Sequence, residues 1–113
     1  MTVRDMVKAA QVEIRDTEDM SSHRAAELLN HLSALLGNVN DEIRKADAEY
    51  AVVRMQCIER FGGKVNHGEA ASEVTPEYMR KREARDAKEL AQSLISALKY
   101  TIKSDHEAMR LAR

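Results

Sequence analysis

The chain has 113 residues, one domain's worth, with 33% charged, 43% hydrophobic and only 4% aromatic residues. One Pro and four Gly exclude sandwiches, barrels and other turn-rich β folds, and equally a collagen-like or Pro-rich disordered chain. Eighteen basic against nineteen acidic residues leave a net charge of −1, so no global field draws the protein to nucleic acid or an anionic membrane.

The first expected element is a short helix over about residues 2–16. Thr2 with Asp5 has the form of a capping box with Asp in place of Glu, and Val3, Met6, Val7, Ala10 and Ile14 share one face. Residues 16–22, polar except for Met20, are the expected break, although the apolar spacing also allows an unbroken helix through them.

A long helix is expected over 21–61. Its apolar positions run Ala25, Leu28, Leu32, Leu35, Val39, Ile43, Ala46, Tyr50, Val53 and Cys57. Steps of three and four alternate with one extra four at Val39, a slip that relaxes a left-handed supercoil. The stripe holds phase across Gly37-Asn38, so the helix is read as unbroken, on the order of 60 Å long. Gly37 in its interior costs roughly 1 kcal/mol, which a close-packed neighbour would offset. Phe61-Gly62-Gly63 is its stop signal.

Residues 62–75 are small and polar and read as a loop. Thr75-Pro76-Glu77 then supplies a cap, a first-turn proline and an acid at the positive end of the dipole. The last helix, over 76–112, carries Met79, Ala87, Leu90, Leu94, Leu98, Ile102 and Met109, with shallow burial in its mostly charged first turns. The expected fold is an all-α antiparallel helical hairpin, coiled-coil-like, as one domain with the shorter N-terminal helix. Pairing across a symmetric loop sets Tyr100 against Gly37 and His106 against His31. Charge supports the hairpin. Residues 1–61 hold eight bases and eleven acids, net −3, while residues 75–113 hold nine and six, net +3. Leu29, Leu36, Val52, Met55 and Ile58 widen the first stripe beyond a two-helix seam. Either the N-terminal helix packs as a third member or two chains pair, and the homodimer is the favoured expectation.

Chemistry-bearing constellations are sparse. His23, Glu27 and His31 share a helix face, but the two histidines lie about 12 Å apart along the axis and cannot share an ion. Arg24 and Arg110 would oppose a cation there, and no metal or other cofactor is expected. The single Cys57 has no CxxC partner and reads as a buried structural thiol. It excludes an internal disulfide framework and, with no secretory-type leader, points to a reducing compartment. Gly62-Gly63-Lys64 lacks the spacing and the preceding strand of a phosphate loop. Arg80, Lys81, Arg82, Arg85 and Lys88 form the densest basic group, interleaved with Glu83, Asp86 and Glu89.

Ala48-Glu49-Tyr50, Ile58-Glu59-Arg60-Phe61-Gly62-Gly63-Lys64-Val65, Gly68-Glu69-Ala70-Ala71, Pro76-Glu77-Tyr78 and Leu94-Ile95-Ser96-Ala97-Leu98-Lys99-Tyr100 together resemble small helical-hairpin proteins of tailed bacteriophages and prophages. The resemblance covers about residues 40–105. It implies a phage-encoded accessory protein acting in the host bacterial cytoplasm, and it carries over no catalytic residue. The expected function is therefore non-enzymatic: binding of a host or phage protein, as inhibitor or adaptor, with Leu29, Leu36, Val52 and Met55 as anchors. The alternative is a nucleic-acid accessory role in recombination or replication, using Arg80, Lys81, Arg82, Arg85 and Lys88.

Overall fold

Thr2 opens the first helix as its composition requires. Its hydroxyl accepts the Asp5 amide at 3.1 Å, and the Asp5 carboxylate accepts the Thr2 amide at 3.2 Å. The computed structural model describes residues 2–112. They form four helices and no strand: α1 (Val3–Asp16), α2 (Ser22–Arg60), α3 (Val65–Ser72) and α4 (Pro76–Leu111). The expected all-α hairpin is present, extended to 72 × 25 × 22 Å.

Helix α2 is unbroken over 39 residues, Gly37 included. Ser21 caps it by accepting the Arg24 amide at 3.1 Å. At its far end Gly62 (φ 64°) and Gly63 (φ 85°) take left-handed conformations. The Gly63 amide reaches back to Ile58 O and the Gly62 amide to Glu59 O, both at 3.0 Å, which closes the orphan carbonyls in a Schellman motif.

The expected 62–75 loop is corrected by the structure. Its middle is a helix, α3, lying back against the last turns of α2. Gly68 makes this possible. A β-carbon there would lie 2.5 Å from Ile58 Cα, so only a glycine admits so close a backbone. Polar bonds do the rest: Arg54 Nε donates to Glu69 at 3.0 Å, and Ser72 donates to Glu69 O at 2.7 Å. With its own proton so used, the fully buried Ser72 accepts the Tyr50 hydroxyl at 2.9 Å. Thr75, donating to Ser72 O at 2.6 Å, then turns the chain into α4 and caps it.

The register follows from that detour. Because α3 covers the end of α2, α4 begins level with Tyr50, whose ring centroid is 5.4 Å from that of Tyr78. Further along, Arg85 meets Asp47 at 2.9 Å and Asp105 accepts the Ser22 hydroxyl at 2.7 Å. Tyr100 therefore does not cover Gly37. It is 73% exposed, and nothing lies within 4 Å of where a Gly37 β-carbon would stand. His106 likewise misses His31. It follows Asp105 at the level of Ser22, nine residues and about 13 Å of helix away.

Helix α1 is the third member of the bundle. Val7 and Ala10 are buried with Ala25, Leu28, Leu32, Leu35, Ala91, Leu94 and Leu98, and Val3, Met6 and Ile14 pack against them. Ion pairs fix both ends of α1: Arg4 to Glu83 on α4 at 3.4 Å, and Glu13 to Arg24 on α2 at 2.6 Å. On α4, Met79 and Met109 depart from the expected stripe and stay more than half exposed. Residues beyond Asp105 pass the start of α2 and have no helix opposite them.

Candidate functional site

Two antiparallel helices have two grooves between them, one on each side. Helix α1 fills one. The other is open, and it is where the apolar and basic candidates of the sequence meet.

Its floor comes from positions seven apart. Leu29 and Leu36 lie on one row of α2, and Ile95 and Ile102 on one row of α4. All four are partly buried against the core, so their inner sides pack and their outer sides face the groove. Leu29 and Ile102 line a hollow of about 470 Å³ together with Lys99, Lys103, His106, Glu107 and Arg110.

The two rims differ. On α2 the row Ala26, Ser33, Asn40 is uncharged, and the Arg44 that follows is paired with Asp41 at 3.0 Å. On α4 the steps Lys81, Arg85, Lys88, Gln92, Lys99, Lys103, His106, Arg110 stay on one side of the helix, a row about 44 Å long with no carboxylate in it. At the α3 end its cations are occupied. Lys81 sits 4.6 Å over the Tyr50 ring, and Arg85 holds Asp47. The other oxygen of that carboxylate, Oδ1, is enclosed without a hydrogen-bond partner. Among the described residues, Lys88, Lys99, Lys103 and Arg110 have no carboxylate within ion-pairing distance.

The basic group read from the sequence is thus divided. Arg80 is shared between Glu49 and Glu77, at 3.7 and 3.5 Å. Arg82 lies over the Tyr78 ring, whose hydroxyl stabilises the guanidinium and raises its pKa further. Arg85 is ion-paired, Lys81 and Arg82 have a ring beneath them but no carboxylate, and Lys88, with neither kind of partner, belongs to the groove. Lys99, Lys103, His106 and Arg110 were the residues the dense run hid. Their signal was present as spacing, in steps of three, four and seven, rather than as clustering.

The apolar anchors divide too. Leu29 and Leu36 are in the groove floor. Val52 and Met55, 57% and 53% exposed, stand on the outer face of α2 beside exposed Ala48 and Ala51. Ile58 is turned toward α3.

Elsewhere there is little chemistry. Among the described residues no three His, Cys, Asp or Glu side chains gather as metal ligands. His23 simply pairs with Glu27 at 3.0 Å along one helix. Cys57 is 1% exposed, its sulfur 3.7 Å from an Arg60 guanidinium nitrogen. No described helix is long and apolar enough to cross a membrane. No protein-family model, curated protein or solved structure matches the chain.

Proposed function

We propose that the protein is a non-enzymatic accessory module, of the phage type its sequence resembles, that holds a protein partner on its helical surface in the bacterial cytoplasm. The observation that carries this reading is the open groove: four large aliphatic side chains, half-covered, along one side of a hairpin whose other side already holds a helix. Its rigidity suits an adaptor or inhibitor, since little order has to be imposed on binding. Val52 and Met55 form a separate, smaller apolar stripe suited to pairing two copies of the chain.

The test is retention of a stoichiometric protein from bacterial lysate by the full chain, with and without nuclease. We expect retention to survive nuclease and to be lost in the double variant Lys99→Glu/Lys103→Glu, both surface positions. Retention abolished by nuclease would favour the second reading, a nucleic-acid accessory role. One observation supports that reading: the unbroken row of cations on α4. Among the described residues no Phe, Tyr or Trp lines the hollow beside Leu29 and Ile102, which weighs against it.

A further inference from the structure

Resting on the groove reading, we infer the chemistry of the occupant: an acidic amphipathic α-helix of a partner protein, laid lengthwise between α2 and α4 as a fourth member of the bundle.

The shape is set by the molecule itself. On the opposite side the same two helices accept α1, a 14-residue amphipathic helix, with its apolar face down and ion pairs at both ends. The open side runs from Ser22–Asp105 to Asp47–Arg85, about 38 Å along α2 and about 30 Å along α4 at helical rise, room for an occupant of about 20 residues. Two leucines facing two isoleucines form a floor for side chains spaced i, i+3, i+4 and i+7.

The charge is set by the rims. Lys88, Lys99 and Lys103 line one side without carboxylate partners, with Arg110 just past the start of α2, and the α2 side holds only Arg44, paired with Asp41, so carboxylates on the occupant are favoured and cations opposed. Two acids belong to the groove's surroundings. Asp105 is bonded to Ser22, and Glu107 stands at the outer edge of the hollow. At the other end Arg85 is already paired with Asp47 and offers an occupant's carboxylate no free cation. The occupant's acids are therefore expected beside Lys99 and Lys103, with Arg110 in reach of the occupant's end. A nucleic acid would use the cations but gain nothing from the aliphatic floor. A second copy of this chain fits less well, since its own exposed apolar stripe, Val52 with Met55, is flanked by Lys45 as well as by Glu59.

The experiment is a selection of random 20-residue peptides displayed in a library against the full-length protein, followed by affinity measurement of the enriched peptides. We expect enriched sequences to place Leu, Ile or Met at i, i+3/i+4 and i+7 with Asp or Glu beside them. Their affinity should fall about tenfold in Lys99→Glu/Lys103→Glu and weaken with added salt. Circular dichroism keeps loss of fold separate from loss of binding. Enriched peptides that lose affinity in Val52→Asp/Met55→Asp but not in the lysine variant would overturn the groove helix while leaving a protein-binding module standing. Enrichment without the acidic pattern would overturn the chemistry assigned. No enrichment would overturn both. A 30-base-pair duplex that binds the full chain, loses binding in the lysine variant and is indifferent to Leu29→Asn would assign the rim to nucleic acid and overturn the inference. Homodimerisation abolished by the lysine variant would seat a second copy there and overturn it equally.

Discussion

The half of the molecule that holds α1 and the half that holds α3 bury their interiors by different means. Around α1 the core is aliphatic: Leu28, Leu32, Leu35, Leu94 and Leu98 close on Val7 and Ala10. Around α3 the buried groups are Tyr50, Cys57, Gly68 and Ser72, small or polar, tied by hydrogen bonds and by an arginine–glutamate pair. The difference follows from element length. Fourteen residues give α1 an apolar face wide enough to be held mainly by burial, with an ion pair at each end. Eight residues of Val-Asn-His-Gly-Glu-Ala-Ala-Ser cannot supply one, so α3 gains its place by close backbone approach and satisfied polar groups.

The comparison is open to direct attack. The largest effect is expected in the aliphatic half: Leu32→Ala, at a fully buried position, should cost about 2–5 kcal/mol in urea denaturation, because the lost burial adds to the cavity left behind. In the α3 half, Gly68→Ala forces a β-carbon against the Ile58 backbone and should cost about 1–3 kcal/mol, with faster hydrogen exchange confined to α3 and the end of α2. Exchange spreading evenly over α1 would show that the two halves are not separable. Gly37→Ala sharpens the contrast with the opposite sign. It meets open space in a helix interior and should stabilise by roughly 0.8–1 kcal/mol.

The smallest expected effect is pH dependence at the ends of α1. The Arg24 guanidinium, hydrogen-bonded to Glu13, holds that carboxyl below its ordinary pKa, and the Thr2 amide does the same for Asp5. A carboxyl whose pKa is lowered by folding contributes stability that is complete above its unfolded value and is lost as pH falls through the lowered, folded one. Acid should therefore loosen α1 modestly before the α2–α4 seam, and Glu13→Gln should remove part of that acid sensitivity in a pH series of thermal melts. An unchanged profile would mean that salt and solvent already screen the pair.

Much of this architecture is legible along the chain, because its signals are local. The capping box at Thr2, the glycine stop after Arg60, the Thr75-Pro76 start and the three–four rhythm of the stripes each depend on neighbours within one or two turns. Gly37 inside an unbroken helix was readable for the same reason, since the rhythm on either side stays in phase. The candidate site was half legible. Leu29, Leu36 and Lys88 could be named from sequence, but the leucines as apolar anchors and the lysine in a separate basic group.

What the tertiary structure alone decided is register. Helix α3 has no apolar rhythm of its own, and its place depends on the single missing side chain of Gly68, a contact between residues ten apart that no periodicity encodes. By lying back on α2 it moves the start of α4 to Tyr50, and that shift decides which residues face one another along the rest of the hairpin. It takes Tyr100 away from Gly37, spends Arg80, Lys81, Arg82 and Arg85 on partners within the chain, and sets Leu29 against Ile102 under a row of free lysines. The sequence by itself determined the helices and which faces are apolar, since those follow from backbone geometry repeated every turn. Which face meets which follows from contacts distant along the chain, and the groove exists only once those are made.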